Sequence, residues 1–281
     1  MRDGMKSLCE VGLDVLTRLC CPISKVNATL KHTSLFLQKS LPLTQQDSWI
    51  RVEDLPMLPA RPSKPQLVSP RDVPHWKNAG VSPVVYTLLT IAHIELTAVD
   101  SYWDTLLRFQ LAPEETMPSE FFEDLAQVLH DEASHYILIH DRLTELGASY
   151  GDIPAHKTLW EYVSQTGHDQ KARLAIVPLV QEARGLDAGP RLVNRIKSEG
   201  DKCSAEIMLK IVQDEEKHVA FGMKWFSWMC QQAKRDPVET FREYVDAYAA
   251  GGLLPPFNEE ARARAGIPQA FYRRVEEDKT H

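Results

Sequence analysis

Two segments of the chain read Asp-Glu-x-x-His: Asp131-Glu132-Ala133-Ser134-His135 and Asp214-Glu215-Glu216-Lys217-His218. A Glu and a His three positions apart share one face of a helix, about one turn from each other, so both can reach a single metal ion. One Glu-x-x-His is close to what chance supplies in a chain with 10 histidines. Requiring Asp before the Glu lowers the chance expectation to roughly 0.05, so two copies are a signal.

Each pair also has a glutamate upstream. Glu95 precedes Glu132 by 37 positions, and Glu182 precedes Glu215 by 33. At about 1.5 Å rise per residue, a helical hairpin returns to the same level after roughly 30–40 residues. The pattern predicts four long helices, near 83–110, 119–146, 169–185 and 190–234. Pro178 should kink the third, and Gly185 and Gly189 should end it. Around the glutamates the helices are apolar: Ile91, Ala98 and Val99 near Glu95, Leu179 and Leu186 near Glu182, Met208 and Ile211 near Glu215. Carboxylates in such a stripe are costly unless paired or bound to a cation. Two divalent cations would offset the charge of four carboxylates. The expected ligands are Glu95, Glu132, His135, Glu182, Glu215 and His218. Oxygen and imidazole nitrogen without thiolate suit two iron ions, or iron plus manganese. Asp131 and Asp214 are expected to accept from the histidine of the opposite motif and fix its tautomer.

The rest of the chain frames this unit. Residues 1–82 read as an N-terminal helical part followed by a proline-rich segment that wraps the surface, with Leu55, Leu58, Leu67, Val68 and Trp76 turned inward. The first helix should bury Leu8, Val11, Val15 and Leu19 on one face, with Gly12 as a weak point. Residues 83–235 hold the four helices, and 236–281 form a C-terminal helical extension with helices near 237–250 and 268–277. A net charge of −7 argues against a nucleic-acid partner. Arg262, Arg264, Arg273 and Arg274 read as a solvated helix face. The sequence has no run of about 18 apolar residues, and thus no membrane span is expected. The five cysteines form no CxxC pair, which points to free thiols and a cytoplasmic location.

At these residues the sequence resembles the ferritin-like superfamily, whose di-iron members use this ligand order. More narrowly it resembles the domain-of-unknown-function 455 family of ferritin-like di-metal proteins. That resemblance extends over Leu58-Pro59-Ala60-Arg61-Pro62, Pro70-Arg71-Asp72-Val73-Pro74, His93-Ile94-Glu95-Leu96, Glu182-Ala183-Arg184-Gly185-Leu186-Asp187 and Pro255-Pro256-Phe257-Asn258. It implies an all-α, ferritin-like four-helix bundle with a di-metal site. The superfamily often implies oxygen activation, whereas the narrower family implies no agreed reaction; the first reading is an oxidoreductase that activates dioxygen to oxidise or hydroxylate a small substrate, served by an external electron donor and compatible with a homodimer. The competing readings are an iron-handling ferroxidase or peroxide-detoxifying protein, and a tRNA-modifying hydroxylase. Tyr102, Tyr136 and Arg184 are candidate catalytic residues, with core packing the favoured role for the tyrosines. Arg184 either meets an anionic substrate or pairs with Asp187, the ion pair being preferred. His93 and His140 read as structural.

Overall fold

The computed structural model describes residues 6–45, 50–249 and 252–273. Within them the chain is mostly helical. In order, the helices are α1 (Leu8–Thr17), α2 (Pro22–Leu37), α3 (Pro83–Leu111), α4 (Ser119–Glu145), α5 (Thr158–Gln165), α6 (Gln170–Ile176), α7 (Ala183–Ser198), α8 (Lys202–Gln232), α9 (Pro237–Tyr248), α10 (Glu259–Arg264) and α11 (Gln269–Tyr272). A π-helical turn, Val177–Glu182, joins α6 to α7. Helix α3 packs on α4, and α8 lies against α4, α6 and α7. Helices α1 and α2 cover α3 and α4, and all contribute to one hydrophobic core.

Local chemistry sets the ends of the long helices. Ser82 Oγ accepts the Val85 N–H at 3.2 Å, and Pro83 occupies the first turn of α3, where its missing donor costs nothing. Asp201 caps α8 by accepting the Ser204 N–H at 2.9 Å, and Arg142 of α4 grips both of its oxygens at 3.0 Å. Helix α3 is long and apolar enough to cross a membrane, but most of its surface is covered by neighbouring helices. Gly12 is where Trp103 docks on α1: a Cβ there would lie 2.6 Å from the indole. Burial on α1 exceeds one face, since Cys9, Leu13 and Leu16 are buried too.

The third helix departs from its expected end. It runs through Gly185, Gly189 and Pro190 to Ser198. The glycines admit neighbours instead of breaking the helix: a Cβ at Gly189 would sit 2.4 Å from Val212. Pro190 has no N–H to give the Leu186 carbonyl one turn back. Asn258 Nδ2 donates to that carbonyl at 3.1 Å, and the Asn258 N–H donates to Asp187 at 2.8 Å. Chain reversal falls at Gly200, whose φ of 85° suits glycine.

Pro178 acts through the π turn. The Ala183 N–H donates to the Pro178 carbonyl five residues back. The wider turn accommodates the proline and alters the facing of the residues beyond it, Glu182 among them. Gly222 of α8 makes the room, for a Cβ there would lie 2.5 Å from the proline ring. Gly222→Ala is therefore expected to destabilise the fold by roughly 1–3 kcal/mol through overpacking, read by thermal denaturation. An unchanged melting temperature would show that Pro178 yields freely.

The proline-rich segment is fixed by polar contacts as well as by the buried Ile50 and Leu55. Lys25 Nζ donates to Ala60 O at 2.8 Å, Trp160 Nε1 to Met57 O at 2.9 Å, and Tyr86 Oη to Pro74 O at 3.0 Å. Strand β1 (Leu67–Val68) pairs in parallel with β2 (Ala155–His156). Leu55 is buried, and Val68 and Trp76 are half-buried, but Leu58 and Leu67 are 70% and 47% exposed. The expectation that those two leucines hold the wrap is thus corrected. The arginine cluster is not a free basic face either. Arg262 is buried on Asp187, Arg264 pairs with Glu216, and Arg273 pairs with Glu259; Arg274 lies outside the described residues. The last helix, expected over 268–277, is seen as Gln269–Tyr272, and residues 274–277 lie outside the described residues.

Candidate metal centre

Glu95 comes from α3, Glu132 and His135 from α4, Glu182 from the end of the π turn, and Glu215 and His218 from α8. They form two groups that share Glu215. Ligand atoms of Glu95, Glu132, His135 and Glu215 lie within 4.8 Å of one another, as do those of Glu182, Glu215 and His218. His135 Nδ1 is 3.2 Å from Glu95 Oε2. His218 Nδ1 is 3.0 Å from Glu132 Oε1 and 3.5 Å from Glu215 Oε2.

Both imidazoles turn Nδ1 toward the carboxylates and Nε2 away from them. His135 Nε2 lies 3.3 Å from Asp214 Oδ2, and His218 Nε2 lies 3.6 Å from Asp131 Oδ2. Each Asp-Glu-x-x-His thereby supplies the aspartate behind the other's histidine. At His135 the hydrogen-bonded carboxylate favours the tautomer that leaves the Nδ1 lone pair facing the centre, while at His218 the aspartate stands just beyond hydrogen-bond distance. Lys210 at 2.6 Å and Lys217 at 2.8 Å hold Asp214, while Gln127 holds Asp131 at 2.9 Å.

Burial makes this cluster expensive without a cation. Glu182 Oε2 is enclosed with no hydrogen-bond partner among the described residues, and the enclosed Glu132 Oε1 and Glu215 Oε2 face only His218 Nδ1, at 3.0 and 3.5 Å. Desolvation, then the charge of Glu215, drives the Glu132 carboxyl well above the usual carboxylate range. The same two causes push Glu182 up to about 8. Burial disfavours the imidazolium of His135, but Asp214 and Glu95 outweigh it and raise that ring to about 10. His218 is raised likewise against its burial, by Glu132 and Glu215. Orphaned carboxylate oxygens and inward-facing Nδ1 atoms are the donor set a pair of divalent ions requires, so the residues present fit such ions.

The other candidates separate. Tyr102 Oη donates to Glu182 Oε1, and burial with that carboxylate's charge raises its phenol. Tyr136 stacks on His140 and meets Tyr150 edge-on, which is packing. His93 bonds Tyr150 at 2.9 Å and the His156 carbonyl at 3.0 Å, a structural role. Arg184 does not pair with Asp187, because Arg262 occupies that carboxylate with bonds of 2.9 and 2.6 Å. Its guanidinium instead reaches Gln181 Oε1 at 3.4 Å.

A cavity of about 330 Å³ opens beside the cluster. Glu95, Glu132, Glu182 and Glu215 line it together with Ile91, Ala98, Val177, Leu192, Met208 and Ile211. His156, Thr158 and Gln181 also face it and were not singled out by the sequence. Gln181 adjoins a ligand and could have been noticed there, whereas His156 and Thr158 arrive from a connecting segment that carries no motif. A second cavity, of about 460 Å³, lies under the proline-rich wrap and shares Ile94 and His156 with the first.

The family described as "Protein of unknown function (DUF455)" matches residues 19–273. The chain belongs to the DUF455 family. All six candidate ligands of this DUF455 chain, and both aspartates behind the histidines, fall within the matched span. The chain is also 35% identical over 235 residues to an uncharacterized protein of Haemophilus influenzae, covering 81% of this chain and 82% of the relative. No solved structure matches it significantly.

Proposed function

We propose that this DUF455 protein is a di-metal carboxylate oxidoreductase of the ferritin-like type, which activates dioxygen to oxidise or hydroxylate a small substrate. The observation that carries this reading is the convergence of four glutamates and two histidines in a cluster whose glutamates line an apolar cavity. The bundle would consist of α3, α4, the α6–α7 unit and α8, supplying ligands in the order Glu, Glu-x-x-His, Glu, Glu-x-x-His. Glu95, Glu132 and His135 would hold one ion, Glu182 and His218 the other, with Glu215 common to both groups. Two iron ions, or iron with manganese, would supply the electrons that reduce dioxygen. The chain's own groups provide the setting. Asp214 holds the proton of His135 on Nε2, and Asp131 stands 3.6 Å from His218 Nε2 with the same sense of charge. Tyr102 keeps its proton on Glu182 Oε1 and so orients that carboxylate. The apolar walls limit water around the reacting groups. The cavity favours an enzyme over an iron-handling protein, which needs no room for an organic molecule.

Elemental analysis of the purified protein is the first test. About two metal ions per chain are expected, falling below 0.2 in Glu132→Ala/Glu215→Ala. Full occupancy in that double variant would end the assignment. The reduced, iron-loaded protein should then consume dioxygen, and an inert di-ferrous protein would remove the oxidase reading.

A further inference from the structure

Resting on the di-metal reading, we propose that the substrate is an amphiphilic carboxylate: an apolar chain of roughly six to ten carbons whose acid group is held by Arg184 at the mouth of the cavity. Size comes from the space available. A cavity of about 330 Å³ holds on the order of ten non-hydrogen atoms if each takes about the 30 Å³ of a liquid water. Most of its lining is aliphatic, which suits a hydrocarbon body.

The polar groups are grouped by kind. At the inner wall stand the four ligand glutamates, which would repel an anionic end. The same lining carries other polar atoms without partners. Gln181 Nε2, Thr158 Oγ1 and His156 Nδ1 are enclosed and have no hydrogen bond among the described residues. Arg184 is exposed, has no carboxylate within ion-pair distance among the described residues, and donates to the Gln181 amide oxygen at a long 3.4 Å. A carboxylate accepts at two oxygens and matches the planar guanidinium fork, with the Gln181 amide and the Thr158 hydroxyl as further donors. Bound this way, the acid group faces outward and the chain points toward Glu182 and Glu215. An amine at the same end would be repelled by Arg184, and a neutral alcohol would leave the guanidinium without a counter-charge.

Gly185 offers a second handle. It lines the cavity, and a Cβ there meets only Glu215 Cγ, at 3.9 Å. Gly185→Leu thus puts a side chain into the space with no backbone obstacle, in a helix that tolerates leucine better than glycine.

The test is isothermal titration of the full-length, metal-loaded protein with octanoate, octyl phosphate and 1-octanol, with metal content and oxygen consumption measured on the same samples. Octanoate should bind at least tenfold more tightly than 1-octanol. Arg184→Gln should cost octanoate at least tenfold and 1-octanol less than twofold, and Gly185→Leu should abolish binding of both. Octyl phosphate binding as tightly as octanoate with the same Arg184 dependence would overturn carboxylate selectivity. Octanoate affinity unchanged in Arg184→Gln, or no tighter than 1-octanol, would overturn the anchor. Arg184-dependent binding to a protein that takes up no oxygen would sink the oxidase reading alone. Normal oxygen uptake with Arg184-independent binding would sink this inference alone.

Discussion

Stripping both metals with a chelator at pH 7.5 is expected to lower the melting temperature by about 12–16 °C. Each ion held at 100–1,000 times its Kd stabilises the folded chain by roughly 3–4 kcal/mol, and for a chain of this length 1 kcal/mol shifts the melting point by about 2 °C. The size of the effect should depend on pH, and the sign is set by the buried groups. Glu182 binds protons more tightly folded than unfolded, with its carboxyl raised from 4.5 to about 8. The stability this gives the metal-free protein is complete below pH 4.5 and is lost as pH rises through 8. His135, raised from 6.5 to about 10, behaves in the same sense over pH 6.5 to 10. Metal binding displaces these protons, so the loaded protein escapes the loss. The gap between loaded and stripped protein should therefore widen from pH 5 to pH 8, with protons released on loading in weakly buffered solution. A gap that is flat or narrows with pH would mean that the carboxylates are already ionised before metal arrives.

The second large effect lies away from the cluster. Asp100 is expected to be indispensable: Asp100→Ala should cost about 3–5 kcal/mol in chemical denaturation. Lys25 and Asp100 are fully buried and 2.5 Å apart, and Arg61 Nη2 lies 2.8 Å from the other carboxylate oxygen. Burial lowers the Lys25 ammonium and Asp100 opposes that shift. Removing Asp100 leaves the two cations without a counter-charge, joined to neutral partners such as Ala60 O and Thr97 Oγ1. Lys25→Met/Asp100→Leu should recover much of the loss, because well-packed apolar pairs often replace buried ion pairs without penalty. A cost below 1 kcal/mol for Asp100→Ala would mean that water reaches the triad.

The cluster was legible because its chemistry is local. Glu132 with His135, and Glu215 with His218, are placed by helix periodicity alone, and Glu95 and Glu182 by the length of a helical hairpin. The crossing of Asp131 and Asp214 followed from the repeated Asp. The features that escaped depended on distant partners. Asp100 sits in the apolar run Leu96–Trp103, a visible oddity, but nothing nearby in sequence names Lys25 or Arg61 as its companions. Gly185, Gly189 and Pro190 looked like a terminus because glycine and proline weaken an isolated helix. Here Val212 and Asn258, both far along the chain, reverse that local preference. Arg184 beside Asp187 invited an ion pair, and Arg262 from the C-terminal segment took the carboxylate instead.

The contact between Asn258 and the Leu186 carbonyl also bears on timing. A ribosome adds about 5–20 residues per second, so the helix that carries Glu182 emerges on the order of 4–14 seconds before the residue that fills its proline gap. During that interval the Leu186 carbonyl is uncovered and Asp187 lacks Arg262, while α3 and α4 are already complete. Glu95, Glu132 and His135 are therefore in place early in synthesis, both groups await Glu215 from α8, and the part built on Glu182 matures last.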